Sequence, residues 1–228
     1  ETDPSTALTL ALELDELLQY EGWYDIGLSM MEQVEQKLHH LTPLNQAKAL
    51  ELRSKYLIEL KRLPEARASL NQALERLPTD ISTAVRNEFW LRNARLLMYE
   101  KNYLGVEEQI EQLKASTILA EGMQAKLLTL QAEVHLRKGN MDQAAGLFDK
   151  AWQQGDKGVA AQFRMRIRSF QGLLRCLTGD LAGGRVIISE MHTQRRKLGK
   201  QTHIAVDLDN LGQIDLLLGD TQSAAIKF

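Results

Sequence analysis

The feature that most restricts what this chain can fold into is an internal period of about 40 residues. Six turn sites can be laid over one another: Gly22-Trp23, Lys61-Arg62, Lys101-Asn102, Gly139-Asn140, Gly179-Asp180 and Gly219-Asp220, at intervals of 39, 40, 38, 40 and 40 residues. Each follows an apolar pattern of helical period and precedes another. A short helix-turn-helix unit cannot bury its apolar face alone, so repeated units stack on their neighbours. The period therefore predicts an all-α, right-handed α-solenoid of about six antiparallel helix-turn-helix repeats. They form one superhelical domain over 1–228, with repeats near 5–41, 43–78, 80–117, 121–155, 159–199 and 201–228, the last incomplete.

The flanks of the turns repeat as well. Seven residues before each turn stand Asp15, Ser54, Ala94, Ala132, Gly172 and Gly212, nearly all small, and five after it stand Gly27, Ala66, Val106, Ala144, Gly184 and Ala224. Small residues at both offsets let the two helices of a hairpin approach closely, because backbones about 8–10 Å apart leave no room for bulk. Nine after the turn stand Met31, Leu70, Ile110, Phe148, Ile188 and Phe228, which are expected to fill the space between repeats. Proline marks helix starts at Asp3-Pro4, Thr42-Pro43 and Pro64, since its missing N–H costs nothing in a first turn. Asp80 is expected to cap the helix that carries Phe89 and Trp90. The segment Gly155 to Gly158, with Asp156 and Lys157, reads as the most mobile interhelical loop.

The segments LQAEVHLRKGNMDQAAGLFDKA (130–151) and NLGQIDLLLGDTQSAAIKF (210–228) resemble tetratricopeptide (TPR) repeats. Ala151 stands where that family keeps a small residue, and Pro78 closes repeat two where the family often has proline. The match is good for repeats four and six and weaker for one and three. Lys61 and Lys101 depart from the turn glycine, and the period exceeds the family's usual 34. The excess implies longer helices, as in the TPR-like sensor domains of bacterial regulators such as the maltotriose-responsive transcription activators.

Several constellations could carry chemistry, and each has a plainer structural reading. The adjacent His39 and His40 point about 100° apart on a helix and do not converge on one ion, so a solvated helix end suits them better. His135, His192 and His203 stand alone. Cys176, the only cysteine, lies in the apolar run LLRCL and reads as a packed thiol. The glycines of GDLAGGR lack the ending of a phosphate loop, and two of them occupy packing positions of the repeat. No catalytic triad, metal set or cofactor motif can be assembled, which points away from an enzyme. The basic cluster is more suggestive: Arg164, Arg168 and Arg175 share about one helical face, with Arg166 beside them and Arg185, Arg195, Arg196 and Lys197 on the next helix. Guanidinium forks of this kind suit a small anionic ligand or an acidic peptide. The structural alternative is pairing within the fold, for instance a ladder contact between Arg175 and Asp215.

By resemblance to TPR domains, the first helix of each hairpin lines a concave surface that holds a partner protein or peptide segment. The corresponding positions here are Lys55, Glu59, Arg95, Met98, Tyr99, Glu133, Arg137, Arg166, Ser169, Leu173, Asp209 and Gln213. They are mixed in character and lack the Lys/Asn clamp by which chaperone-cofactor TPRs hold a C-terminal carboxylate. A formal net charge of −2 supplies no basic field for direct binding to nucleic acid. No apolar run is long enough for a membrane span, and the first residues given lack the basic-then-apolar pattern of a signal peptide. The reading is a non-catalytic protein-binding module without cofactor, cytoplasmic with the periplasm left open. The alternative is a ligand-sensing regulatory domain of a larger bacterial transcription or signalling protein. A chain that begins at Glu1 and stops at Phe228 within a helical pattern is expected to be a piece of something larger, prone to self-association through its incompletely capped last repeat.

Overall fold

The computed structural model describes residues 3–115, 119, 121–155, 161–197 and 201–227. It contains helices in pairs and, among the described residues, no strand. The pairs are α1 (Pro4–Glu21) with α2 (Tyr24–Glu35), α3 (Pro43–Glu59) with α4 (Leu63–Glu75), and α5 (Thr83–Tyr99) with α6 (Tyr103–Lys114). They continue as α7 (Glu121–Arg137) with α8 (Met141–Gln154), α9 (Ala161–Leu177) with α10 (Leu181–Lys197), and α11 (Gln201–Leu217) with α12 (Thr221–Lys227). The hairpins fall three to each of two compact units, Glu1–Leu119 and Ala120–Phe228.

All six turns are built alike. The residues Gly22, Lys61, Lys101, Gly139, Gly179 and Gly219 adopt left-handed backbone, with φ of 73°, 61°, 60°, 81°, 96° and 83°. The next residue's N–H then reaches back six positions, counted inclusively, to a carbonyl of the first helix: Arg62 to Leu57 at 2.9 Å, Asn102 to Leu97 at 3.0 Å, Asn140 to His135 at 2.9 Å. This is the Schellman closure, which satisfies carbonyls that a helix end leaves unpaired. The same next residue starts the second helix. Its carbonyl accepts the N–H four residues on, as Arg62 does from Ala66 at 3.0 Å and Asp180 from Gly184 at 2.9 Å. At three of the four turns where it is Asn or Asp its side chain caps too, Asn102 accepting from the Gly105 N–H at 3.0 Å, Asp180 from Gly183 at 2.8 Å and Asp220 from Ser223 at 3.0 Å, whereas the Asn140 side chain makes no capping bond.

The small residues sit where the hairpins close. Ala66, Val106, Ala144 and Ala224 are buried, opposite the buried Ser54, Ala94, Ala132 and Gly212. A Cβ on Gly184 would stand 2.7 Å from the Gly172 carbonyl oxygen and 2.2 Å from the Cys176 sulfur, so α9 and α10 touch at backbone distance there. Ser54 turns its position into a bond, donating its hydroxyl to the Ala66 carbonyl at 3.0 Å, while Ser69 donates to Leu50 at 2.9 Å. The large apolar set behaves as expected: Met31, Leu70, Ile110, Phe148 and Ile188 are buried, whereas Phe228 lies outside the described residues. In the first unit the core joins Leu28, Met31 and Val34 to Leu52, Tyr56, Leu57 and Leu70. In the second it runs through Ala144, Phe148, Ile167 and Leu174, where Phe148 stacks on Phe170 at 5.1 Å between centroids.

Asp3 and Thr42 cap α1 and α3 as the prolines imply, accepting from Thr6 at 3.0 Å and Asn45 at 3.3 Å, and Pro64 lies in the first turn of α4. The cap of α5 differs from expectation. Ser82, not Asp80, accepts the Val85 N–H, at 3.4 Å, because the helix starts two residues later than an Asp80 cap requires. His39 and His40 are exposed in a separate 3-10 turn (Leu38–His40) that follows α2. The loop expectation for Gly155 to Gly158 falls, beyond Gly155 itself, outside the described residues, as does the side chain of His203.

Candidate functional site

In the first unit the candidate face is made by α1, α3 and α5, which pack side by side. Its charges are already engaged with one another. The Lys55 ammonium pairs with Asp15 across hairpins, and Arg92 on α5 pairs with Glu51 on α3. Tyr56 donates its phenol to the other Asp15 oxygen at 3.1 Å. Burial and then the neighbouring Arg92 charge push the Lys55 ammonium below the ordinary lysine range, against Asp15 and Glu51, which hold it up. Glu59, Arg95, Met98 and Tyr99 lie half-buried along the same face. Lys61 places its ammonium 4.3 Å from the Tyr99 ring centroid, and the Arg95 guanidinium lies 5.8 Å from it. Tyr24 is raised to about 12, first by burial and then by Glu59, Tyr99 and Asp15.

One irregularity of the repeat explains this cluster. Asp15 occupies an offset where other repeats carry a small residue, and Gly27 occupies the matching offset on α2. A Cβ on Gly27 would meet the Tyr56 ring at 2.6 Å. The ring of the next hairpin thus fills the place of a side chain, and its hydroxyl finds Asp15. Sequence reasoning missed Asp15, Glu51 and Arg92 as members of the face. The available signal was a carboxylate in a small-residue position together with Tyr56, whose repeat equivalents Leu96, Val134, Leu174 and Ile214 are all aliphatic.

In the second unit Arg166 on α9 donates to both Glu133 oxygens on α7, at 3.1 and 3.2 Å, and lies 5.6 Å from the Phe170 ring. Ser169 is drawn away from an open surface. It accepts from Arg195 at 2.8 Å while its own hydroxyl donates to the Met165 carbonyl at 2.9 Å. Arg195 also pairs with Asp207, and both side chains are nearly sequestered, at 7 % and 3 % exposure. Burial pushes the Asp207 carboxyl up, with Arg195 and His192 opposing. Arg137, Asp209 and Gln213 are exposed, Gln213 donating to Asp209 at 2.8 Å. Leu173 is 36 % exposed, and Leu177 and Leu217, two residues before their turns, are 54 % and 71 % exposed.

The basic cluster is largely paired, though not as the ladder suggested. Arg175 donates to Asp180 in its own turn at 3.1 Å, and Asp215 is held by Arg185 at 2.6 Å and by Lys227. Arg175 sits two residues from the end of α9, so its side chain reaches the turn residue before it can reach the next hairpin. For Asp215, burial opposes ionisation, but the bonds from Arg185 and Lys227 outweigh it and hold the carboxyl below the ordinary range. Cys176 packs beside Ile188 and Leu211, and burial raises its thiol. Among the described residues no group of three His, Cys, Asp or Glu side chains could hold a metal ion, and no helix is long and apolar enough to cross a membrane.

The six hairpins with a common left-handed closure and small-residue seam define a TPR-like helical repeat fold. No protein-family model and no curated sequence matches the chain. Solved structures do, and the three described next align at low identity. A tetratricopeptide repeat protein from Parabacteroides merdae aligns with a TM-score of 0.62 at 16% identity, covering 96% of this chain and 75% of that one. A signal transduction ATPase with numerous domains carrying a tetratricopeptide repeat sensor, from Pyrococcus horikoshii, aligns at 0.70 and 14% identity, over 96% of this chain and 34% of the other. PilW, a widely conserved type IV pilus biogenesis factor, aligns at 0.63 and 16% identity, over 98% and 90%.

Proposed function

We propose that this chain is a non-catalytic protein-binding module that takes a partner segment along the first helices of its hairpins, chiefly on α9 and α11. The observation that carries the reading is a contrast between equivalent positions. Two residues before the turn, the first unit has Glu59 and Tyr99, half-buried and engaged with neighbours, whereas the second has the exposed Leu177 and Leu217. Apolar side chains on the same face, with Leu173 beside them and the exposed Arg137 at the equivalent position on α7, suit the apolar stripe of an amphipathic segment. Of the first unit's candidates, Lys55, Glu59, Arg95 and Tyr99 serve its face as an internal charge and aromatic network, and Met98 lies half-buried on the same helix as Arg95 and Tyr99. Peptide-display selection on the intact chain, followed by hydrogen exchange, tests the proposal. Selected peptides should protect α9 and α11, and Leu177→Asp with Leu217→Asp should abolish their binding. Protection elsewhere, or binding indifferent to both substitutions, refutes it.

A second reading, a ligand-sensing regulatory domain in bacterial signalling or transcription, is favoured by the sensor named in the Pyrococcus structure. Its test is a ligand-dependent change in the stability of the second unit. Self-association through α12 would cover the exposed Ile226 with a second copy, and a sedimentation mass that stays monomeric at high concentration would exclude it.

A further inference from the structure

The structure divides the basic cluster noticed in the sequence. Arg175 is spent on its own turn, but Arg164 and Arg168 converge on one aromatic ring: their guanidinium carbons lie 4.6 and 5.9 Å from the Trp152 centroid. Trp152 comes from α8 and the arginines from α9. Together with α10 they wall a cleft of about 550 Å³, inside the range of about 300–1,000 Å³ typical of small-ligand sites. Its apolar lining is Trp152 with Met165 and Met191, which are 7 % and 4 % exposed. Its polar lining includes Glu190 on α10.

Arg168 is the group positioned to bind an anion. Its contact with Glu190 is long, at 3.7 Å, with Arg168 half-buried and Glu190 exposed, and its bond to Gln171 is 3.3 Å. A long pair with one partner in solvent contributes little, so a better acceptor can displace Glu190. Arg164 has a different part, covering the indole and fixing its plane. The thioethers of Met165 and Met191 adapt their shape to an apolar body. We propose that the cleft between α8, α9 and α10 binds a small monocarboxylate with an apolar body, whose carboxylate replaces Glu190 on Arg168 while the body lies against Trp152 and the two methionines. The site is separate from the first-helix face and does not depend on that reading.

The test uses 4-phenylbutyrate as probe, with 4-phenylbutanamide and inorganic phosphate as controls, by calorimetry on the intact chain at fixed low ionic strength. The acid should bind saturably at millimolar concentration or below, and the amide about ten- to a hundredfold more weakly, as expected for loss of one charge-assisted bond. Arg168→Gln should weaken the acid by a similar factor. Glu190→Gln, an exposed change that leaves the fold intact, should strengthen it by removing the competing carboxylate. The two substitutions acting in opposite directions is the signature of the site, because a purely structural ion pair would lose in both. Absence of saturable binding by the acid, equal binding of phosphate, or an unchanged or weaker affinity in Glu190→Gln overturns the proposal.

Discussion

Lys101→Gly should make the protein more stable, although it removes a side chain and a charge. Lys101 holds φ of 60°, in the left-handed region that costs an ordinary residue about 1–2 kcal/mol. Glycine removes that cost but gives the unfolded chain more freedom, returning about 0.5–1 kcal/mol. The difference is a gain of about 0.5–1 kcal/mol, since Lys101 is exposed and its side chain is not part of the core. Lys61 has nearly the same φ, 61°, but its ammonium lies 4.3 Å from the Tyr99 ring. An exposed cation–π contact is worth about 0.5–1 kcal/mol, so Lys61→Gly should come out near zero. Urea denaturation followed by circular dichroism resolves the two, with Lys101→Ala as the control that loses the charge but keeps the strained backbone. Lys101→Gly being destabilising, or Lys61→Gly gaining as much as Lys101→Gly, would refute the strain argument.

Other expectations are checked the same way. Gly184→Ala should destabilise by about 1–3 kcal/mol, because its Cβ meets the Gly172 carbonyl, which is backbone and cannot yield as a side chain can. Arg195→Met should cost about 3–5 kcal/mol by leaving Asp207 buried without its partner, and adding Asp207→Leu should recover most of it, as a thermal-melt comparison of the single and double variants will show. Asp215 has a lowered folded-state value, so its stabilisation is present above the ordinary 3.8 and is lost as pH falls through the folded-state value. The stability gap between the unaltered chain and Asp215→Asn should therefore be full near neutrality and close in strong acid, measured from the acid limb of a pH–melting profile.

The repeat was legible because one backbone event recurs. Glycine at four of six turns, with Asn or Asp after four of them, marks a left-handed residue followed by a capping one. Lys61 and Lys101 were readable only through spacing, since their own chemistry argues against the conformation they adopt. Side-chain pairing was much less legible. Arg175 and Asp215 stand at equivalent places, yet each has a nearer partner, in Asp180 and in Arg185 with Lys227. Repeat equivalence fixes Cα positions, while a long flexible side chain chooses among several carboxylates within reach. Ser169 illustrates the same limit, because its assignment to an open face depended on Arg195, a residue from the second helix of the same hairpin. The Trp152 cleft was half visible as a run of arginines; the ring they share lies on another helix.

The doubled role of the residue after each left-handed turn bears on where this chain can be lengthened. In every hairpin one residue ends the first helix and starts the second, so an inserted residue at that point would break the closing bond of one helix and the opening bond of the other at once. The joints between hairpins are longer: residues 36–42, which include the 3-10 turn, and 76–82 connect α2 to α3 and α4 to α5, and only their last residues, Thr42 and Ser82, carry a cap. Grafted loops, affinity tags or whole inserted domains should therefore be accepted at those joints and rejected at the turns. The same asymmetry predicts that related chains will differ in length between hairpins and agree in length within them.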